Sequence, residues 1–199
     1  MWIELDGWKA KLRFSACHFI PNHPKCGRLH GHTYAISVKI VGQQIGNFVI
    51  DFEDLKRYVG EICETLDHTT LLASRDENVQ ITKTETGDIV VIVGTSRKRY
   101  CFPKEDVVIL PINSVSAEDL CSYLLDELCN KLDLSTFSEI SIRLDEGLGQ
   151  GAGCVRHFSQ REGDSGLGQK ISDDVARSVG VPRQQVIKLR EKYIECRWS

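Results

Sequence analysis

The sequence predicts an α+β domain, an antiparallel β-sheet with two helices on one face. Three observations carry this reading. Apolar and polar residues alternate over 8–16, 34–40 and 138–144, the period of half-buried strands. Two other segments, 52–66 and 120–132, place apolar residues at helical spacing. The elements run β-β-α, an inserted hairpin, then β-α-β-β, without the βαβαβ alternation of a doubly wound fold.

The first strand rests on Trp8, Ala10, Leu12, Phe14 and Ala16 facing one way against Lys9, Lys11, Arg13 and Ser15. His18 at its end shares the apolar parity and points inward. In the second strand, Tyr34, Ile36, Val38 and Ile40 share a parity that extends back through His32 to His30. Antiparallel pairing across the 19–29 loop would bring these three imidazoles together. Gly42–Gly46 then turns the chain toward Asp51, which can cap a helix carrying Phe52, Leu55, Val59, Ile62 and Leu66 on one stripe. Residues 78–102 read as an inserted β-hairpin containing Val79–Thr82 and Ile89–Val93, with the basic Arg97-Lys98-Arg99 behind it. Val107–Pro111 reads as a short buried strand. Ser116 caps a second helix with acidic residues in its first turn and a stripe of Leu120, Tyr123, Leu124, Leu128 and Leu132. Ile140, Ile142 and Leu144 face inward on a further strand, and Glu146 inherits their parity, which aims a carboxylate at the interior side. A glycine-rich turn leads into Cys154–Phe158. These elements place one domain at 1–158 with an insert at about 74–106, followed by a linker and small helical tail over 159–199.

With 199 residues and 41% hydrophobic content, the chain can bury one ordinary core with a modest appendage. No apolar run approaches the roughly 20 residues needed to span a bilayer. The acidic start also lacks a signal peptide's charged and apolar regions. A cytoplasmic location without a membrane partner is expected. A net charge of −3 supplies no general attraction for nucleic acid, which is not expected as a partner. The eight cysteines form no CxxC pair and no disulfide-scaffold pattern. Cys17, Cys63, Cys121 and Cys129 read as small core hydrophobes. Cys26 is different, because it sits in a polar loop between Lys25 and Arg28, whose positive charge favours a thiolate.

The segment Cys26-Gly-Arg-Leu-His30-Gly-His32 therefore carries a reactive thiol and two ligands, with His18 as the third. Three imidazoles and one open position are how catalytic zinc is held, whereas structural zinc usually has four protein ligands. Zn2+ is the expected cofactor. His157 has no partner spacing and reads as an ordinary histidine, and His23 lies in the Cys26 loop, a proximity that by itself assigns it no role.

Four blocks in order carry a family resemblance: Phe14-Ser-Ala-Cys-His18, Cys26–His32, Leu66-Asp67-His68 and Glu146. Over most of residues 8–157 the chain resembles the 6-pyruvoyltetrahydropterin and 6-carboxytetrahydropterin synthases. The resemblance implies the tunnelling fold, or T-fold, with subunits assembled as trimers or hexamers and active sites between them. It also implies that His18, His30 and His32 hold zinc, that Cys26, Asp67 and His68 form the catalytic group, and that Glu146 grips a pterin ring. Ser116, which keeps the hydroxyl of a family threonine, is a further substrate-binding candidate, and Lys25 and Arg28 are candidates for binding a triphosphate. The chain departs from the family pattern at Leu72, where an asparagine is usual, and at Gly147, where a threonine is usual.

The Cys-x3-His-Gly-His spacing looks most like the branch that makes 6-carboxy-5,6,7,8-tetrahydropterin for 7-deazaguanine tRNA nucleosides. The expected activity is thus a zinc-dependent lyase acting on 7,8-dihydroneopterin triphosphate. The alternatives are 6-pyruvoyltetrahydropterin synthesis and aldolase-like cleavage of a dihydroneopterin. An alternative of another class is a pterin-sensing regulator that binds DNA through its tail. Ala176, Gly180 and Val186 stand at helix-turn-helix positions within 172–189, and nine Lys/Arg against six Asp/Glu follow from Arg156 on. Two short helices lack the core of a stand-alone module, so packing of the tail against the enzyme or a neighbouring subunit is the favoured reading.

Overall fold

The computed structural model describes residues 1–94 and 96–159. Its strands are β1 (Trp2–Leu5), β2 (Arg13–His18), β3 (His30–Gly42), β4 (Thr69–Ala73), β5 (Val79–Lys83), β6 (Ile89–Val93), β7 (Arg99–Phe102), β8 (Val107–Leu110), β9 (Phe137–Glu146) and β10 (Gly151–His157). The helices are α1 (Phe52–Leu66) and α2 (Ala117–Lys131). The α+β architecture with two helices is as expected from the sequence. Among the described residues, no helix is long and apolar enough to cross a membrane. The tail elements read over 160–199 lie outside the described residues.

Strand β3 organises the main sheet, whose order is β10-β9-β3-β2-β4-β8. It pairs antiparallel with β9 from Tyr34 opposite Glu146 to Ile40 opposite Ile140. Its other edge is shared, with β2 against residues 30–35 and β1 against residues 38–41. This division corrects the expected first strand, which begins at Arg13 rather than Trp8. Residues 7–11 are a turn in which the Asp6 carboxylate accepts from the Lys9 amide at 3.0 Å and Lys11 adopts a φ of 60°. Local capping by Asp6 outcompetes the alternating pattern there. The outer pairings β2–β4 and β4–β8 are parallel, so the sheet is mixed. β8 is an edge strand. Only Leu110 of it is fully buried and Ile109 is exposed, which corrects the expectation of a buried strand.

The insert is a second sheet of three strands, β5-β6-β7, rather than a two-stranded hairpin. Phe19, Leu72, Ile89, Val91 and Val93 form a separate buried cluster at its base. Leu72 is therefore apolar because the insert covers it.

Both helices start as expected. Asp51 accepts from the Glu53 amide at 2.7 Å, and Ser116 accepts from the Asp119 amide at 3.4 Å. Leu55, Val59, Ile62 and Leu66 of α1 and Leu120, Leu124 and Leu128 of α2 are buried, and they pack with Phe14, Tyr34, Ile36, Ile140 and Leu144 of the sheet. Each such side chain contributes about 1.5–3 kcal/mol on burial. Phe52, at the first helical position, is exposed instead of joining the stripe. Cys63, Cys121 and Cys129 are core residues, and the Cys121 sulfur lies 3.0 Å from that of Cys154 on β10. Cys17 is exposed, because its parity is opposite to that of Ala16 and His18.

Candidate functional site

Strand register assembles the three histidines. His18 is directly opposite His30, and Ala16 is opposite His32, across the β2–β3 pair. Their ring centroids lie 4.6 Å (His18–His30), 5.2 Å (His18–His32) and 5.0 Å (His30–His32) apart. One nitrogen from each ring lies within 4.8 Å of the others, so this group could hold a metal ion. Between His30 and His32 on β3, a side chain at Gly31 would stand 3.1 Å from the Ala16 carbonyl oxygen, so glycine permits the close approach of β2.

Backbone carbonyls orient two of the rings. His18 Nδ1 lies 2.7 Å from the Val115 oxygen, and His30 Nδ1 lies 2.7 Å from the Arg28 oxygen. A carbonyl can only accept, so each Nδ1 carries the proton and each Nε2 keeps a lone pair. His18 is 2% exposed, and its Nε2 is buried without a hydrogen-bond partner. Leaving such a group unsatisfied costs about 1–3 kcal/mol. Burial also pushes the His18 pKa below its ordinary value, which keeps the ring neutral. A neutral imidazole with a stranded lone pair beside two others is a donor set that fits a metal ion.

Glu146 reaches this cluster from the end of β9. Its Oε1 lies 3.6 Å from His18 Nε2 and 3.8 Å from His32 Nε2, beyond hydrogen-bond distance from either. The same oxygen accepts from the Tyr34 hydroxyl at 3.2 Å. Tyr34 is fully buried and stacked on Phe14, and burial together with the Glu146 charge raises its pKa. Its hydroxyl therefore stays a donor. Gly147 follows with a φ of 91°, a conformation that explains glycine where a threonine was the family expectation.

Cys26 is half-buried in the 19–29 loop. Its amide donates to His23 Nδ1 at 2.9 Å, and its carbonyl accepts from the Ile20 amide at 2.7 Å. His23, assigned no role from the sequence, thus shapes the turn that holds the thiol. The side chains of Lys25 and Arg28 are exposed beside it. The Ser116 hydroxyl is the cap of α2, and its neighbour Val115 holds His18.

Asp67 and His68 are brought together at the end of α1. Asp67 Oδ1 accepts from the Ser15 amide at 2.7 Å, and Oδ2 lies 2.9 Å from His68 Nδ1. The Ser15 hydrogen bond, followed by His68, holds the Asp67 pKa below its ordinary value. His68 has a φ of 57°, donates its amide to Ser15 O at 2.7 Å and leaves its ring largely exposed. Among the described residues, no hydrogen bond or ion pair joins Cys26 to either residue. His68 instead lines a cleft of about 590 Å³ with Ser15, Cys17, His32, Thr33 and Thr70. Ser15, Cys17 and Thr33 carry the parity opposite to His18, His30 and Tyr34, while His32 belongs to the imidazole cluster and also lines the cleft.

A family model described as 6-pyruvoyl tetrahydropterin synthase matches residues 8–156. A Methanocaldococcus jannaschii protein provisionally named a 6-carboxy-5,6,7,8-tetrahydropterin synthase is 41% identical over 163 residues, which cover 79% of this chain and 98% of that protein. A similarly named Pyrococcus horikoshii protein is 32% identical over 67% of this chain and 79% of its own length. Among solved structures, the 6-pyruvoyl tetrahydropterin synthase of Plasmodium vivax superposes with a TM-score of 0.72 at 28% identity, over 79% of this chain and 99% of that one. The Plasmodium falciparum enzyme gives 0.73 at 27% identity, over 79% and 98%.

Proposed function

The chain belongs to the 6-pyruvoyl tetrahydropterin synthase family, a family of enzymes, and from that premise we propose that it is a zinc-dependent lyase. Its substrate in this reading is 7,8-dihydroneopterin triphosphate, and its product is 6-carboxy-5,6,7,8-tetrahydropterin. The observation that carries the reading is the buried, unpartnered His18 Nε2 in a cluster of three imidazoles with the Glu146 carboxylate beside it. The product assignment is supported by the three-residue gap from Cys26 to His30 and by the names of the archaeal relatives.

His18, His30 and His32 would hold the ion, and Zn2+ is the one that three neutral imidazoles with an open position suit. Bound there, it supplies Lewis acidity that polarises hydroxyl oxygens of the substrate side chain and makes the adjacent C–H bonds more acidic. Cys26, as thiolate, takes a proton from the side-chain carbon or returns one. His68 is the partner acid/base, its Nδ1–H held by Asp67 so that Nε2 is free to exchange a proton. Such proton transfer contributes about 10²–10⁴-fold. Glu146, steadied by Tyr34, accepts from the amino and ring N–H groups of the pterin and fixes the ring beside the cluster. Lys25 and Arg28 meet the triphosphate, and Ser116 lies at the helix start next to His18's carbonyl anchor.

Because Cys26 makes no hydrogen bond or ion pair to Asp67 or His68 within one chain, a complete site in this reading draws on a second copy, with Cys26 of one chain meeting His68 of its neighbour. The enzyme is therefore a homo-oligomer with active sites between subunits. Incubating the zinc-loaded protein with 7,8-dihydroneopterin triphosphate tests the reaction. The 6-carboxy product is expected. Release of the 6-pyruvoyl or 6-hydroxymethyl compound instead would overturn the product assignment, and no conversion would overturn the enzyme reading.

A further inference from the structure

Among the described residues, the insert contacts the loop that carries Cys26 at its start, its middle and beside the thiol. Tyr100 of β7 stacks on Phe19 at the start of the loop, with centroids 5.4 Å apart. Asn22 donates to the Asn78 side chain at 3.1 Å. Lys98, in the turn before β7, donates from Nζ to the Gly27 carbonyl at 2.7 Å, spanning 71 residues of sequence. Gly27 directly follows Cys26, and its amide is turned back onto His23 O at 3.0 Å. A side chain at Gly27 would stand 2.6 Å from that same oxygen, so the peptide is pressed against the turn. The next residue, Arg28, supplies the carbonyl that orients His30.

We infer that Lys98 is a positioning residue for the active site, and that the insert acts through it to hold the Cys26 thiol in register with the imidazole cluster. The inference rests on the reading of Cys26 as the proton-transfer thiol. A charged donor on a neutral carbonyl is a strong hydrogen bond, and here it fixes the peptide plane between the thiol and the carbonyl anchor of His30. Without it, the loop keeps its attachments at Phe19 and Asn22 but loses the one adjacent to the reactive group. The consequence is a thiol that samples several positions relative to the substrate carbon, which lowers turnover more than substrate binding.

The test compares wild type with Lys98→Met, which keeps the aliphatic stem without the donor, and Lys98→Arg, which restores a charged donor. All are zinc-loaded and assayed with 7,8-dihydroneopterin triphosphate. In Lys98→Met, kcat is expected to fall about tenfold with KM little changed, because misplacement of a reacting group by even ~1 Å is costly. Hydrogen exchange should accelerate over 19–29, including the Cys26 amide, while α1 and α2 keep wild-type protection. Lys98→Arg should recover most of the lost kcat. Wild-type kcat and wild-type loop exchange in Lys98→Met would overturn the inference, as would a general loss of protection in both variants. Cys26→Ala run alongside separates the two claims. An active Cys26→Ala removes the thiol reading, whereas an inactive Cys26→Ala with a wild-type Lys98→Met removes only the clamp.

Discussion

At the scale of single residues, the chemistry is set by three imidazoles whose nitrogens lie within 4.8 Å of one another, with the Glu146 carboxylate 3.6 Å from His18 Nε2. His18, His30, His32 and Glu146 were readable from the sequence because a period of two places them on one face, and the structure puts them in one cluster. Tyr34 was readable as core, but its hydroxyl's role toward Glu146 emerges only from the β3–β9 register. His23 and Lys98 gave no signal, since each acts on the backbone of the Cys26 loop through a hydrogen bond that sequence spacing does not encode. Asp67 makes a testable contribution at this scale. Its carboxyl titrates below the ordinary value of 3.8, so the charged form stabilises the fold. That contribution is fully present above the unfolded-state pKa and is lost as pH falls through the lower native value. In Asp67→Asn the amide oxygen can still accept from Ser15, but the charge is gone. Urea unfolding should show the variant less stable than wild type at about pH 6, with the gap narrowing only as the pH falls below the ordinary value of 3.8. A gap of constant size across that range would contradict the assignment.

At the scale of elements, both helices were legible in full. Asp51 and Ser116 announce their starts, and the leucine stripes announce their buried faces. Strands were legible where they are half-buried and failed at their ends. Asp6 caps a turn that cuts β2 short, and β1 takes the vacant edge of β3 although its four residues show no distinctive pattern. The parallel pairings of β4 with β2 and β8 could not be read, because both depend on contacts across the chain that a local period does not report. The third strand of the insert was hidden for a related reason. Arg99–Phe102 reads as a basic flank until Tyr100 and Phe102 are seen packed over the Phe19 cluster. The insert is thus more than decoration on the family core. It supplies the apolar cover for Leu72 and the anchor for the thiol loop.

For the whole molecule, the proposed meeting of Cys26 with a neighbour's His68 makes the oligomer part of the catalytic machinery. Cys26→Ala and His68→Ala should each be inactive alone, yet regain activity when their subunits are mixed, because some interfaces then combine an intact thiol with an intact dyad. Random assortment restores about a quarter of the sites. No recovery after demonstrated subunit exchange would place both groups of a site on one chain. The reading beneath all of this is that three imidazoles hold the metal while the thiol stands apart from it as the reactive group. The most direct measurement is the zinc content and turnover of purified Cys26→Ala beside wild type. One zinc per chain with turnover abolished is the predicted result; loss of zinc together with activity would make the thiol a fourth ligand and contradict the open metal centre.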